Sequence, residues 1–383
     1  MGQTVLILGA GIGGLALANR LRKNLPKEQR VVLVEREASF VFAPSLLWLM
    51  TGDRTVRSIS RPLERLTRRG VEVVRAEIER IDPERREVIA GGRRLASDYL
   101  VIALGAELAP ETIPGLAQAG HNFYTLSGAE ALRDALARFT GGKLVVLTAA
   151  PAYKCPAAPY EAAMLLEAAC RKRSIRDRTQ IDLYAAEPGP MGVAGPEVSK
   201  AVRGMVEAKG IAYHPEHQIR EVDPAGRRLK FTNGAEASFD LLAYVPPHRA
   251  PKVVREAGLV GETGWIGVDR HTLQTKHTHV FAIGDVAGIP LKLGKPLPKA
   301  GVFAHGEADV VATNIAHAIT GNAKQASFDG AGACFIETGD GKAGFGKGNF
   351  YAEPLPQVRM HPPARHWHLA KIVYEKQWLW RWL

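Results

Sequence analysis

Residues 4–21, TVLILGAGIGGLALANRL, constrain the fold of this chain more than any other stretch. A short apolar run leads into a glycine turn and then into a helical pattern whose packed face carries small residues and leucines. Gly9, Gly11 and Gly14 stand at G-x-G-x-x-G spacing. Gly9 permits a sharp turn, Gly11 lets the backbone approach a pyrophosphate, and Gly14 lets the helix lie close against the strand. With Ala10, Ile12 and Gly13 between them, they form a loop whose amides and helix dipole suit phosphate. A second apolar run, VVLVE, ends in Glu35, about twenty residues beyond the glycines, where a carboxylate can accept from both ribose hydroxyls. The stretch predicts an α/β dinucleotide-binding unit of the Rossmann type, against the plainer alternative of a glycine turn without a ligand. The glycines alone leave FAD and NAD both open.

With 383 residues the chain can hold two or three domains of ordinary core size. A hydrophobic fraction of 46% and a charged fraction of 23% are those of a globular protein. The net charge of +11 favours an anionic partner: a nucleic acid, an acidic lipid surface or a small anion. The basic residues are scattered, without a basic region, recognition helix or aromatic RNA platform, so nucleic-acid binding is not expected. Three cysteines are too few for a disulfide scaffold and wrongly spaced for zinc, and no metal is expected. The apolar N-terminus lacks a basic leader and a cleavage site and reads as strand and turn rather than signal peptide. No stretch reaches the roughly 18 apolar residues of a spanning helix. The expectation is a protein not integral to a membrane.

A second segment, HTHVFAIGDVAG, ends a strand in Gly284 and Asp285. It resembles the second FAD motif of the two-dinucleotide flavoproteins, in which the aspartate binds the ribityl chain; the alternative for Asp285 is a helix N-cap. DYLVIALGA, ending near Gly105, similarly resembles the crossing loop out of the FAD domain in that superfamily. Together with Ile78 and Lys299, these residues complete the set expected to contact bound FAD. Strands and helices alternate again over residues 109–270, which predicts a second doubly wound unit. The expected fold is therefore α/β with two Rossmann-like domains. Residues 1–108 and 271–330 form a discontinuous FAD domain, 109–270 the second unit, and 331–383 a C-terminal segment carrying a cysteine and an amphipathic, membrane-associating end.

The second unit lacks the glycines it should repeat. After the strand KLVVLTA comes AAPAYKC, and Pro151, Tyr153 and Lys154 are hard to reconcile with a backbone pressed against pyrophosphate. Glu187 ends the next strand as a ribose-binding acid would, but without the glycines it reads as a surface or turn residue, and NADH is not the expected donor. Cys155 falls at or just before a helix start, where free amides and the dipole favour thiolate. Cys334 lies far away in GAGACFIETGDGKAG, where glycine and alanine allow close approach to a flat ring. A pair facing the flavin could exchange with an incoming sulfur nucleophile; the alternative is two ordinary buried thiols. Cys170, on an apolar helix, reads as inert.

CPAAPYE at 155–161, PKAGVFAHGEA around Lys299, and ACFIETGDG with Cys334 resemble the corresponding motifs of the sulfide:quinone oxidoreductases, over nearly the entire chain. The resemblance implies that Cys155 and Cys334 flank FAD, carry sulfur from hydrogen sulfide as persulfide or polysulfide, and pass two electrons to FAD and on to ubiquinone or menaquinone. Phe335 is then the quinone-contacting candidate, and Glu161 a proton relay or only a helix cap. The chain departs from the family where Tyr124 and Gly128 stand in place of a third cysteine and a histidine, and near Met191, where another histidine is replaced. Rival readings are the flavoprotein subunit of a cytochrome-linked sulfide dehydrogenase, a type II NADH:quinone oxidoreductase, and a non-enzymatic sulfur carrier or docking protein.

The tail HWHLAKIVYEKQWLWRWL, read as a helix, places Leu369, Ile372, Val373, Leu379, Trp380 and Leu383 on one stripe interrupted by Lys376, with Trp367, Trp378 and Trp382 on the other side. Indole rings with Lys371, Lys376 and Arg381 suit the headgroup layer of a bilayer, where lysines snorkel. The expectation is peripheral membrane attachment, compatible with a homo-oligomer; the alternative is a terminal helix docked on the protein's own core.

Overall fold

The computed structural model describes residues 2–321 and 324–383. Two parallel five-stranded sheets organise the chain. In the first, the spatial order is Val280–Ala282, Tyr99–Ile102, Thr4–Leu8, Arg30–Glu35 and Glu72–Arg75. Its central strands are continuous apolar runs buried on both faces, as a parallel sheet covered on each side requires. The chain leaves the first strand in one direction across the sheet and fills the other side later. A crevice therefore opens beyond the carboxyl ends of the strands where the order reverses. Helix Ile12–Asn24 packs on helix Gly301–Thr320, with Gly13 close against Ala304.

In the second sheet the order is His121–Asn122, Leu241–Val245, Gly142–Thr148, Thr179–Ala185 and Ala212–His214. Helix Ala158–Lys172 lies between this sheet and the third layer, where an antiparallel sheet follows the first unit in sequence. Its strands are Ala331–Gly339, Lys342–Asn349 and Gln357–Ala364. The first two are joined by Asp340 and Gly341, both left-handed at φ 58° and 63°, the twist-compatible conformation of a two-residue hairpin loop.

The last strand runs directly into helix Arg365–Arg381. Among the described residues no helix is long and apolar enough to cross a membrane. The terminal helix departs from the expected stripe. Leu379 and Leu383 are buried together with Trp378 and Trp382, while Leu369, Val373 and Trp380 face outward, Trp380 with 80% of its surface exposed. Trp378 stacks on Phe40 at 4.9 Å between ring centroids and lies 5.5 Å from Phe42. Lys371, expected to snorkel, is buried, as is Glu375. The helix is docked through an inward face that carries matched charges as well as indoles, and its exposed residues mix Leu369, Val373 and Trp380 with Lys376, Gln377 and Arg381.

Candidate active site

The crevice of the first sheet is a cavity of about 1030 Å³, at the upper end of ordinary ligand clefts and suited to a dinucleotide. Gly9, Ala10, Gly11, Ile12, Gly13, Glu35, Ile78, Gly105, Gly284, Asp285 and Lys299 all line it. Gly14 does not; it lies under the turn, where an added Cβ would sit 1.9 Å from the Gly9 carbonyl oxygen. Gly11 opens the glycine helix with no side chain capping it and open space at its Cα, so the first amides remain free for a phosphate. Glu35 accepts from the Ala10 amide at 2.8 Å, which holds its carboxylate beside the turn.

Across the cleft, Gly284 is left-handed at φ 72° and its amide donates to Glu307 at 2.6 Å. Burial pushes the Glu307 carboxyl up to about 7. Lys299 donates to the backbone carbonyls of Asp285 and Ala287 at 2.6 and 3.1 Å and rests over the Trp265 ring; burial lowers its ammonium to about 8. The free amides, the acceptor at Glu35 and this polar edge fit FAD, whose isoalloxazine supplies two-electron chemistry when bound.

Cys155 lines the same cavity from the second unit. Its backbone is fixed from both sides. The Cys155 amide donates to the Lys299 carbonyl at 2.6 Å, its own carbonyl accepts from Ala158 at 2.9 Å, and φ is 51°, a left-handed value rarely taken by a non-glycine residue. Tyr124 braces the loop by donating to the Lys154 and Cys155 carbonyls at 2.9 and 3.2 Å. Cys334 approaches from strand Ala331–Gly339, and its thiol donates to the Phe335 carbonyl at 3.3 Å. The two cysteines are free and close enough that charge on Cys334 raises the Cys155 thiol.

The expectation of a thiolate at Cys155 is corrected here. The helix begins only at Ala158, and burial, the nearby Cys334 and Glu161 together push the Cys155 thiol well up, with Lys371 opposing. Burial likewise raises Cys334, to about 12. The flat ring admitted by Gly332 is that of Phe303, 2.6 Å from where a Cβ would stand. Phe335 meets Phe345 at 5.1 Å and Tyr374 of the terminal helix at 6.5 Å. Cys170 is fully buried on its helix, away from this cleft.

Behind the cysteines lies a charge network whose lysine and second carboxylate were not singled out as site residues from the sequence. Glu161, almost fully buried, accepts from the Glu337 amide and from Lys371 Nζ, each at 2.8 Å. Lys371 is also 4.0 Å from Glu337, whose other oxygen meets His368 Nδ1 at 2.9 Å. Burial would lower Lys371, but the two carboxylates outweigh it and hold the ammonium above its ordinary value. Burial raises Glu337, with Lys371 and His368 opposing. Glu161 is thus more than a helix cap. No signal in its spacing pairs it with a lysine from the far end of the chain.

A family model described as pyridine nucleotide-disulphide oxidoreductase matches residues 3–317. The chain belongs to that family. It is an FAD-binding oxidoreductase, and it is 28% identical over its whole length to the sulfide-quinone reductase of Aquifex aeolicus, covering 91% of that protein. The mitochondrial sulfide:quinone oxidoreductase of Mus musculus is 24% identical over 92% of this chain and 79% of its own. The solved structure of the Aquifex aeolicus sulfide:quinone oxidoreductase superposes with a TM-score of 0.90 at 26% identity, covering 100% of this chain and 91% of that one.

In the second unit the end of the strand that would face a dinucleotide is occupied by side chains of the chain itself. Glu187, at the end of strand Thr179–Ala185, accepts from Thr148 at 2.8 Å, from Tyr160 at 2.7 Å and from Tyr153. The carboxylate expected at the surface is therefore consumed by three hydroxyls of its own chain, and the buried Tyr153 and Tyr160 rings stand beside it. The bulk of Tyr153, which argued against a pyrophosphate loop, has this partner as its physical reason.

Proposed function

We propose that this flavoprotein oxidises hydrogen sulfide to sulfane sulfur through Cys155 and Cys334 and passes the electrons to a membrane quinone. The observation that supports the reading is that Cys155 lines the cofactor cleft and that Cys334, nearly 180 residues away in sequence, lies near enough for its charge to raise the Cys155 thiol, although Cys334 itself is not among the residues lining the cleft. The relatives named above act on sulfide and quinone. Glu187, the acid at the end of the strand where a ribose acceptor for NADH would stand, is engaged by three hydroxyls of its own chain, which supports a donor other than NADH.

In the oxidised pair, hydrosulfide attacks one sulfur of a Cys155–Cys334 disulfide. A new S–S bond forms on that cysteine as a persulfide, the old S–S bond breaks, and the other cysteine leaves as thiolate. Loss of two electrons from the persulfide and thiolate joins them again with one sulfur more. The glycine turn, Glu35 and Asp285 would hold FAD, which would supply the two-electron acceptor for that step and the link to quinone. Because burial opposes both thiolates, the chain must supply a proton acceptor and a compensating cation nearby. Glu161 takes the first role and Lys371 the second, and the Glu337–His368 pair connects them outward. Phe335 and Tyr374 offer an aromatic surface against which a quinone ring can stack. The exposed Leu369, Val373 and Trp380 seat the terminal helix in the bilayer that holds the quinone.

Anaerobic titration tests this. Sulfide should bleach the flavin, NADH should not, and decylubiquinone added afterwards should restore the oxidised spectrum. Cys334→Ser should abolish bleaching by sulfide; full reduction surviving in that variant would overturn the cysteine-pair reading.

A further inference from the structure

Segment 54–69, part of which shares a groove with the end of the terminal helix, is one-sided in charge. It holds Arg54, Arg57, Arg61, Arg65, Arg68 and Arg69 against Glu64 alone. Arg54 is used internally, paired with Glu375 at 3.0 Å. Arg57, Arg61 and Arg65 are in no ion pair among the described residues; Arg61 reaches only the Arg57 and Ser60 carbonyls. All three line a groove of about 1040 Å³ whose opposite wall is Leu379, Trp380 and Leu383.

We infer that this groove seats the phosphate headgroup of an anionic phospholipid, so that the protein selects negatively charged bilayers. Three unpaired guanidiniums on one wall suit a phosphate, because the planar fork donates to its oxygens two at a time. The wall across from them ends in Trp380, four-fifths exposed, and the outward stripe of Leu369 and Val373 continues from it along the same helix. Charge and apolar surface thus meet in the order of a bilayer boundary: headgroup on the arginines, indole at the interface, aliphatic side chains against the acyl layer. A free phosphate ion would satisfy the arginines and leave the exposed Trp380 ring and the Leu369–Val373 stripe without a partner. A lipid covers both.

The proposal rests on the membrane attachment given under the proposed function, and vesicle sedimentation separates the two. The full-length flavoprotein is mixed with vesicles of phosphatidylcholine alone or of phosphatidylcholine with phosphatidylglycerol. The wild type should bind both and prefer the anionic vesicles, with the preference shrinking as salt rises. Each basic residue near an anionic surface contributes about fivefold in affinity, so R57Q/R61Q/R65Q should lose on the order of 100-fold on anionic vesicles and little on neutral ones. Trp380→Ala should weaken binding to both. Sulfide-dependent reduction of soluble decylubiquinone serves as the fold control and should be unchanged in the triple variant.

A triple variant that keeps the wild-type preference for phosphatidylglycerol overturns the inference, and so does a wild type that binds both vesicles equally; membrane attachment survives either result. Binding to neither vesicle overturns both. If inorganic phosphate displaces the protein from anionic vesicles better than chloride at equal ionic strength, the groove is a free-phosphate site and the lipid assignment fails.

Discussion

Replacing Lys371 by methionine probes the buried network behind the cysteines. Lys371 Nζ stands 2.8 Å from Glu161 and 4.0 Å from Glu337. At an effective dielectric of about 20, the shorter contact alone is worth about 6 kcal/mol of Coulomb attraction before the desolvation of the charges is set against it. Without the ammonium, Glu161 keeps the Glu337 amide and Glu337 keeps His368, but Glu161 is then a buried carboxylate beside a second one with no cation of its own. Proton uptake by one of them relieves this. Measured from an ordinary glutamate near 4.3, that uptake costs about 5 kcal/mol at pH 8 and about 1 kcal/mol at pH 5. The carboxyl's folded pKa is then raised above its unfolded value, so the variant's stability is intact at low pH and is lost as pH rises. Urea unfolding of the flavoprotein should show Lys371→Met destabilised by about 3–5 kcal/mol at pH 8 and about 1 kcal/mol at pH 5. Glu161→Gln in the same chain should recover much of the loss at pH 8, since the orphaned charge goes with it. Because Lys371 opposes the upward push on both thiols, the pH profile of sulfide-driven bleaching should also move to more alkaline values in the single variant. Equal losses of stability at the two pH values would refute the argument, since an apolar packing defect carries no proton.

The cofactor cleft yields further expectations. Gly14→Ala places a methyl group 1.9 Å from the Gly9 oxygen; the helix must lift from its strand, at about 1–3 kcal/mol, and the ratio of flavin to protein absorbance in the purified variant should fall. Glu307, pushed to about 7 by burial, withdraws stability from the protein as pH rises from the unfolded carboxyl range through 7. Glu307→Gln keeps the acceptor for the Gly284 amide and should raise the unfolding free energy of the cofactor-free protein by about 1–3 kcal/mol at pH 8 and leave it unchanged near pH 4. Arg54→Met leaves the fully buried Glu375 with Ser45 as its main partner and should cost about 3–5 kcal/mol in thermal or urea unfolding at neutral pH.

Much of the dinucleotide unit was legible in the sequence because its determinants are local. Gly9, Gly11 and Gly14 act within one strand, one turn and one helix, and Glu35 follows at the distance set by that helix. The same locality exposed the second unit's missing glycines. It did not expose the use of Glu187, whose partners Thr148, Tyr153 and Tyr160 reach it from a different strand, the loop that follows it and the next helix. The state of Cys155 is hidden from the sequence for a related reason. Position next to a helix start argues for a thiolate, but the helix begins past the cysteine, and burial together with Cys334 of the distant third sheet raises the thiol.

The terminal helix is where periodicity fails most instructively. An apolar stripe is sought on the assumption that the inward face is the apolar one, yet here Lys371 and Glu375, one turn apart, are both inside, and Leu369 and Val373 are outside. Each inward charge is matched by a distant residue: Lys371 by Glu161 near the cysteines, Glu375 by Arg54 and Ser45. Ser45 lies between Pro44 and Leu46, which line the cofactor cavity. Peeling this helix away to lie free on a bilayer would strip both charges of their partners while leaving Glu161 and Arg54 unpaired in the body of the protein. The outward stripe can meet lipid only with the inward face still docked. Attachment of the helix to a membrane and integrity of the cysteine site are therefore one structural condition, and a variant that undocks the tail should lose sulfide-driven flavin bleaching even in detergent-free solution with no membrane present.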